Sequence, residues 1–245
     1  MKIVVIGGTG LVGKKLIPLL TAAGHDAVAA SPSTGVNAVT GEGLAAALTG
    51  ADVVVDVTNA PSWGDDEVLH FFTTSAANLG AAEREAGVQH HIAVSIVNCD
   101  QIPGSGYMRA KVAQEQQIRT AGVPFTILRA TQFFEFLAGI ADFSTADGVA
   151  RLSTARFQPV AAEDVAATLA DLVERPAVNG VVDLAGPEAG TLSSFVSRYL
   201  AAKGDTRTVV EDPEAGYFGA AVESLAPAPD SGARLGAISF EKWLG

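Results

Sequence analysis

Short runs of apolar, often β-branched residues alternate along this chain with longer stretches of helical periodicity. The first run is Ile3–Ile6, a helical stretch follows at Leu11–Ala23, and Val53–Val57 is a later run of the first kind. Such runs are typical of strands buried on both faces, and strands that alternate with helices form a parallel sheet covered by helices. The sequence therefore predicts an α/β fold built on a doubly wound parallel sheet.

The same two patterns place the other predicted elements. Further strands are predicted at Ala27–Ala30, Val36–Thr40, Ile92–Val97, Phe125–Leu128 and Val181–Leu184. Further helices are predicted at Gly43–Leu48, Val68–Ala86, Tyr107–Ala121, Ala162–Glu174 and Leu192–Ala202. Because the alternation is regular only to about Arg129, we expect a core domain over residues 1–130 and a smaller substrate-binding lobe over residues 131–245. The strand at 181–184 is a candidate to return to the core sheet.

One segment of the lobe has little periodicity. Glu211–Gly236 is rich in Gly, Pro and Ala. Long segments of this kind in compact domains are often functional. Two interpretations stay open, a cover over a pocket and a mobile surface loop.

Composition excludes several classes of protein. The 245 residues are 48% hydrophobic and 18% charged, which is a core-forming composition, and the net charge of −11 disfavours nucleic-acid binding. Cys99 is the single cysteine, and His90 and His91 point to opposite faces of a strand, so no metal site is predicted. No apolar run approaches the roughly 18 residues of a membrane helix. We expect a cytoplasmic monomer or homodimer without membrane or nucleic-acid partners.

A glycine-rich turn directly follows the first strand and has the pattern G-x-x-G-x-x-G. Glycines let a backbone approach a pyrophosphate closely, and the helix that begins behind them offers unpaired N–H groups. A nucleoside triphosphate site is disfavoured because Lys15 stands where a P-loop needs Ser or Thr. The turn predicts a dinucleotide site in a Rossmann-like sheet, with contacts from Gly7, Thr9, Gly10, Leu11, Val12 and Gly13.

The end of the second strand favours NADPH over NADH. NAD sites usually place an acid there for the ribose 2′-hydroxyl, whereas this chain has Ala30–Gly35 with no acid. A carboxylate would repel a 2′-phosphate, but the hydroxyls of Ser31 and Ser33 can donate hydrogen bonds to it. Lys14 or Lys15 would neutralise its charge.

Three residues form a candidate proton-transfer group. Tyr107 and Lys111 stand four residues apart in a predicted helix, one turn apart on the same face. A lysine ammonium near a phenol favours the phenolate and lowers the phenol's pKa, which is ordinarily near 10, and the ammonium can also hold a cofactor's ribose. Ser95 ends a predicted strand, so its hydroxyl is expected to face the same crevice beyond the sheet.

These motifs together resemble the short-chain dehydrogenase/reductase superfamily. The glycine spacing resembles its extended and atypical branches, and the closest resemblance is to the NmrA-like NAD(P)-binding group. Further segments that resemble this group are Val55–Ala60, Arg129–Glu135, Gln158–Val160 and Asp164–Ala166. The resemblance is firmest over Met1–Ala166. Many NmrA-like members lack the tyrosine and act as regulators, whereas this chain keeps Tyr107.

The resemblance implies roles for particular residues. Tyr107 would protonate a carbonyl oxygen as hydride arrives at carbon, Lys111 would bind the ribose, and Ser95 would orient the substrate. Thr58, Asn59 and Ala60 would line the nicotinamide side of the cofactor. Phe133 and Phe134 would contribute to an apolar pocket wall, and Trp63 is either at the rim of the pocket or a surface aromatic.

The sequence therefore predicts an NADPH-dependent oxidoreductase that reduces a small carbonyl, quinone or related acceptor. Two alternatives stay open. One is an NADP(H)-sensing regulatory protein of the NmrA type. The other is an epimerase or dehydratase on the same fold, which would use a bound cofactor transiently.

Overall fold

A central parallel sheet organises the computed structural model, which describes residues 1–245. The strands are β1 Lys2–Ile6, β2 Asp26–Ala30, β3 Val53–Asp56, β4 His90–Ile96, β5 Phe125–Ala130, β6 Thr145–Ala146, β7 Val149–Leu152, β8 Arg156–Phe157, β9 Gly180–Ala185, β10 Gly190–Thr191, β11 Thr208–Glu211, β12 Ser224–Leu225 and β13 Arg234–Leu235. Seven of them form the central sheet in the order β13-β9-β5-β4-β3-β1-β2, and all neighbours are parallel.

Helices cover both faces of this sheet. They are α1 Leu11–Ala22, α2 Leu44–Leu48, α3 Asp65–Ala86, α4 Gly106–Thr120, α5 Leu137–Phe143, α6 Ala162–Val173, α7 Leu192–Ala202 and α8 Phe240–Leu244. Ile3 and Val5 pack with α1 and α6, whereas Val4 and Ile6 pack with α2 and α3. Successive residues of a strand point to opposite faces, so the β-branched run of β1 is buried on both sides. The predicted doubly wound α/β fold is confirmed.

The predicted strand at Val36–Thr40 is wrong. The Asn37 side-chain oxygen accepts hydrogen bonds from the backbone N–H groups of Val39 and Thr40, which folds this stretch into a turn. Asn78 of α3 then donates to the carbonyl oxygens of Ala38 and Val39. Asparagine competes with strand pairing in this way because its side chain bonds locally to the backbone.

The lobe after β5 contains two small sheets, with strand orders β10-β8-β12 and β11-β7-β6. They enclose an apolar cluster that includes Phe134, Phe157, Phe195 and Phe240. The chain enters the lobe after β5, returns to the central sheet through α6 and β9, which pairs with β5, and enters the lobe again after β9 ends at Ala185. The lobe therefore lies beside the carboxyl ends of the central strands.

The segment Glu211–Gly236 is folded against the rest of the molecule. At its start, the Asp212 N–H donates to the Leu152 carbonyl, and β12 within it pairs with β8. Asn98, which follows β4, donates to the carbonyl of Ala226 at 2.9 Å. This segment thus reaches the loop between β4 and α4.

None of the helices is both long and apolar enough to cross a membrane. No group of three or more His, Cys, Asp or Glu side chains is arranged to hold a metal ion.

Candidate active site

The glycine turn between β1 and α1 is closely packed against its own backbone and against the backbone that follows β3. Gly7 has a φ of +81°, and a Cβ there would lie 2.9 Å from the Val57 carbonyl oxygen. A Cβ on Gly13 would lie 2.5 Å from the Gly8 Cα. Real Cβ atoms do not tolerate such contacts, so these positions require glycine.

The first turn of α1 presents unpaired donors. Gly10 is the N-cap and supplies no side-chain hydrogen bond, and the N–H groups of Leu11, Val12 and Gly13 have no acceptor within the protein. No acidic residue occupies this turn. Unpaired N–H groups at a helix N-terminus fit an anion, here a pyrophosphate.

Four hydroxyl side chains cluster beside this turn at the end of β2. Thr9 donates to the Ser31 hydroxyl at 3.1 Å, and the Ser31 and Ser33 hydroxyls lie 2.9 Å apart. Thr34 closes a capping box with Ser31. Lys15 forms an ion pair with Glu163, whereas Lys14 is exposed and forms none. The cluster holds no carboxylate.

The residues after β3 form a second polar group. Buried Asp56 accepts hydrogen bonds from the Thr58 N–H at 2.9 Å and from the Thr58 hydroxyl at 2.7 Å. The Asn59 side-chain oxygen accepts from the Ala60 N–H and, at 2.8 Å, from the Tyr107 hydroxyl. The carboxyl end of β3 is therefore joined to the N-terminal turn of α4.

Tyr107 lies in an aromatic setting at this edge of the sheet. Its ring centroid is 5.6 Å from that of Trp63 and 5.7 Å from that of Phe72. Burial raises the pKa of Tyr107, so its phenol stays protonated at neutral pH. A protonated phenol beside a cleft is a proton donor rather than a base.

Lys111 is turned away from the Tyr107 hydroxyl and buried in the sheet–helix interface. It donates to the Val94 carbonyl at 2.8 Å and to the Gln114 side-chain oxygen, and it lies 4.3 Å from the centre of the Phe72 ring. Burial lowers the pKa of Lys111 to about 8. The expectation that Lys111 lowers the pKa of Tyr107 is therefore wrong, because burial alone shifts that pKa and it shifts it upwards.

Ser95 does not reach the crevice. It is 3% exposed, and its hydroxyl donates to Glu115 of α4 at 2.6 Å. Glu115 is held in turn by Arg129, with N–O distances of 2.8 and 2.9 Å. β4 continues through Ile96, so Ser95 lies within the strand and faces α4. The expectation that Ser95 faces the same crevice as Tyr107 is wrong.

The three aromatic residues expected around a substrate pocket have different surroundings. Trp63 is 72% exposed and covers the Tyr107 ring, which fits a pocket rim. Phe133 is half-buried and stacks on Phe136. Phe134 is 1% exposed and packs between α8 residues in the core of the lobe, so the expectation that it lines a pocket is wrong.

Sequence reasoning missed four polar residues. The Gln114 side chain donates to Asp56 at 2.9 Å and accepts a hydrogen bond from Lys111. The sequence signal for this group was an acid, Asp56, inside the apolar run Val53–Val57. The Gln132 amide is 6% exposed and has no hydrogen-bond partner for either of its atoms. Such an orphaned amide at the carboxyl edge of β5 fits a bound polar group. Tyr217 lies in the segment without periodicity, which gave no local signal.

A parallel sheet of seven strands with a glycine-rich turn after β1 defines the class of Rossmann-like folds that bind dinucleotides. A family model described as NAD(P)H-binding matches residues 7–176. The chain belongs to this NAD(P)H-binding family.

Two curated relatives are similar to parts of the chain. A (4-alkanoyl-5-oxo-2,5-dihydrofuran-3-yl)methyl phosphate reductase of Streptomyces griseus is 32% identical over 144 residues, which cover 54% of this chain and 48% of the relative. The photosystem II assembly factor Ycf39 of a Synechocystis species is 25% identical over 195 residues, which cover 73% of this chain and 60% of the relative. The chain thus spans about half to three fifths of the length of these relatives.

Solved structures share the fold across most of the chain. MoeE5 in complex with UDP-glucose and NAD has a TM-score of 0.77 at 17% identity, covering 100% of this chain and 96% of that one. A dTDP-4-dehydrorhamnose reductase of Clostridium acetobutylicum has a TM-score of 0.70 at 13% identity, covering 92% and 90%. A short-chain dehydrogenase/reductase superfamily protein of Agrobacterium tumefaciens with bound NAD has a TM-score of 0.69 at 18% identity, covering 86% and 85%. At these identities the likeness concerns the fold alone.

Proposed function

We propose that this protein is an NADPH-dependent reductase that transfers hydride to a small carbonyl, quinone or related acceptor, with Tyr107 as the proton donor. The observation that carries the proposal is the position of the Tyr107 phenol. It lies at the carboxyl edge of the sheet that also bears the glycine turn, and it is held by Asn59 and flanked by exposed Trp63. Ligands of open parallel sheets bind at this edge.

A proton and a hydride complete the reaction. A nicotinamide cofactor, when bound, would supply the hydride. The Tyr107 hydroxyl donates to Asn59 in the free protein, and a substrate oxygen that accepts electron density competes with Asn59 for this proton. The Tyr107 phenolate left behind regains its proton from solvent. Burial keeps the phenol protonated before each turnover, because it raises the pKa of Tyr107.

Lys111 acts as a positioning residue in this proposal. Its bond to the Val94 carbonyl ties α4, which carries Tyr107, to β4 of the sheet. Gln114 links it to buried Asp56, whose other oxygen orders the Thr58 backbone. This connection holds α4 and the residues after β3 in one arrangement, so the distance between Tyr107 and Asn59 is fixed.

The NADPH preference rests on the hydroxyl cluster at the end of β2. Thr9, Ser31 and Ser33 offer neutral donors where an acid would repel a 2′-phosphate. Lys14 remains available as a cation, because Lys15 is paired with Glu163. The N-terminal turn of α1 would hold the pyrophosphate, and Thr58, Asn59 and Ala60 would line the nicotinamide side.

The test is the oxidation of NADPH, in parallel with NADH, over a panel of quinones, ketones and aldehydes. We expect turnover that prefers NADPH and that falls about 10²–10⁴-fold in Tyr107→Phe, the range for loss of a general acid. Tyr199→Phe, in α7 with its ring centroid 6.3 Å from that of Trp243, is the matched control. Unchanged turnover in Tyr107→Phe would exclude the proposed role of Tyr107.

A second candidate is a dinucleotide-binding regulatory or assembly protein. Two observations favour it: Glu115 sequesters Ser95, and one relative is an assembly factor. Tight NADP(H) binding without turnover on the panel, together with a stable complex with another protein, would establish this candidate. A cofactor that co-purifies and never exchanges would instead indicate an epimerase or dehydratase.

A further inference from the structure

We propose that Tyr217 is a second hydrogen-bond donor to the substrate's reacting oxygen, delivered to Tyr107 by the C-terminal lobe. The inference rests on the proposed reductase function and names a residue of the same site. It concerns the second hydrogen-bond donor to the substrate oxygen, which the site described so far lacks. Reduction of a carbonyl places negative charge on its oxygen, and such sites commonly use two donors. Ser95 cannot be the second one, because its hydroxyl is bound to Glu115.

The Tyr217 hydroxyl is unused by the protein. The residue is 9% exposed, and no side-chain or backbone group forms a hydrogen bond with its oxygen. The Tyr217 hydroxyl oxygen is not fully enclosed and keeps some contact with solvent. A buried phenol with a free, reachable hydroxyl is poised for an acceptor that is not part of the protein.

Tyr217 and Tyr107 belong to one cluster. Tyr107 packs against the apolar group that contains Ile102, Met108, Tyr217 and Ala220. Burial raises the pKa of Tyr217, and the negative charge of a Tyr107 phenolate would raise it further. Both phenols are therefore protonated at neutral pH and both can donate.

A tight turn holds Tyr217 in place. Its N–H donates to the Ala220 carbonyl at 2.7 Å, and the Ala220 N–H donates back at 3.1 Å. Between them Phe218 and Gly219 have φ values of +47° and +82°. These left-handed angles are those of a two-residue hairpin turn, which is unfavourable for a residue as bulky as Phe218. Such backbone conformations persist where the surrounding structure requires them.

The turn meets the loop that leads into α4. A Cβ on Gly104 would lie 3.7 Å from the Ala220 side chain, and Gly104 is three residues before Tyr107. Asn98 anchors the same segment further along, through the Ala226 carbonyl. Residues 211–226 therefore contact the loop between β4 and α4, and Tyr217 belongs to the turn that makes this contact.

The two phenols have different roles in the proposed reduction. Hydride carries two electrons from the dihydronicotinamide carbon to the carbonyl carbon, and the carbon–oxygen π bond breaks toward oxygen. The proton of Tyr107 goes to that oxygen and forms the alcohol, while Tyr217 donates a hydrogen bond and keeps its proton. Tyr107 regains a proton from solvent, and the products are the oxidised cofactor and the alcohol.

The experiment uses the full chain, NADPH and 9,10-phenanthrenequinone as the probe. The chain has three tyrosines, so Tyr107→Phe, Tyr217→Phe and Tyr199→Phe form a complete matched set. We expect Tyr217→Phe to lower kcat about 10²–10³-fold, the range for loss of one such donor, while the Kd of NADPH and the Tm stay unchanged. The loss is expected to be constant from pH 6 to 8. A kcat for Tyr217→Phe within about threefold of wild type would overturn the proposal.

A binding measurement separates this proposal from the proposed function. If wild type turns over no probe, the reductase function fails, and the donor pair is tested with 4-nitrophenolate titrated by absorbance into protein saturated with NADP⁺. We expect Tyr217→Phe to weaken phenolate binding about tenfold relative to wild type and Tyr199→Phe, as for loss of a hydrogen bond to a charged oxygen. Equal binding by Tyr217→Phe, or no binding by wild type, would overturn the proposal.

Discussion

The glycine turn and the tyrosine region lie on the same edge of the sheet, but they are built in different ways. In the turn, the Gly8 N–H donates to Val5 and the Gly10 N–H to Gly7, and the bonds from Gly7 and Gly8 to Ala30 of neighbouring β2 span only 23 and 22 residues. In the tyrosine region, Tyr107 bonds to Asn59, 48 residues away, and Asn98 bonds to Ala226, 128 residues away. The glycine turn is thus a local motif, whereas the tyrosine region is assembled from three segments that are distant in the chain.

This difference has a consequence for how each region tolerates change. The turn is fixed by backbone contacts, so a single added methyl group disturbs it. The tyrosine region is fixed by side chains from β3, α4 and the C-terminal lobe, so single hydroxyl groups can be removed there with little change in fold.

The largest effect on cofactor binding is expected from Gly13→Ala. The new Cβ would lie 2.5 Å from the Gly8 Cα and 2.6 Å from the Gly7 carbonyl oxygen, so the turn must open. Overpacking of this kind costs about 1–3 kcal/mol, and we expect NADPH to bind up to about 100-fold more weakly in a fluorescence titration. Gly139→Ala is the control, because that helical glycine has nothing within 4 Å of its Cβ position. Equal affinity in both variants would place the cofactor elsewhere.

Ser33→Asp tests whether the hydroxyl cluster selects NADPH. Ser33 is exposed and its hydroxyl lies 2.9 Å from that of Ser31, so an acid there would face a 2′-phosphate without burying a charge. We expect the Kd of NADPH to rise about tenfold and that of NADH to stay unchanged, with a larger effect at low salt. The neutral variant Ser33→Asn should retain the preference for NADPH. If Ser33→Asp and Ser33→Asn behave alike, charge is not the basis of the preference.

The third prediction concerns α3, which contributes Phe72 to the tyrosine region. Buried His91 of β4 lies 2.6 Å from Glu83 of α3. Burial lowers the pKa of His91, but Glu83 and Asp56 outweigh it and the pKa is raised. A raised pKa in the folded state stabilises the protein fully below the unfolded value, near 6.5, and this stabilisation is lost as pH rises through the folded value.

We therefore expect the Tm to fall as the pH increases above about 6.5. Glu83→Gln should flatten this dependence, because the neutral amide no longer favours the imidazolium. Parallel pH profiles for wild type and Glu83→Gln, followed by thermal unfolding, would contradict the assignment to this pair.

The smallest effect on catalysis is expected from Ser95→Ala. Its hydroxyl contacts Glu115 and does not reach Tyr107, so kcat should stay within about threefold of wild type. Stability should fall by about 1.5–3 kcal/mol, since the lost hydrogen bond goes to a charged and buried carboxylate. Measurement of kcat and of urea unfolding on one preparation checks both parts. A 100-fold fall in kcat would restore Ser95 to the reaction and break the contrast between the two regions.

Particular elements show how far local pattern predicts this fold. The apolar runs at β1, β3 and β5 and the glycine turn were evident because burial on both faces and close backbone contact leave few residue choices. The strand predicted at Val36–Thr40 failed because the Asn37 side chain bonds to the backbone there. The strand prediction took into account the apolar residues of that stretch, but not the side-chain hydrogen bonds that fold it into a turn.

The site was predicted in part. Tyr107 and Asn59 lie together at the carboxyl edge of the sheet, and Ser31 and Ser33 lie beside the glycine turn, which their places at strand ends indicated. The directions of Lys111 and Ser95 were not predictable. Spacing puts a residue on a helix face or strand, but its partners across the interface decide what the side chain contacts.

The sequence by itself determined the parallel sheet, the glycine turn after β1 and the position of Tyr107 at a helix start, because each depends on residues close together in the chain. Only the tertiary structure decided which hydroxyl groups accompany Tyr107. Glu115 and Arg129 hold the Ser95 hydroxyl in the interior, while the C-terminal lobe supplies Tyr217, 110 residues further along, to the apolar cluster that Tyr107 packs against. Buried charges and polar groups must find partners, and in a folded chain those partners come from wherever the packing places them.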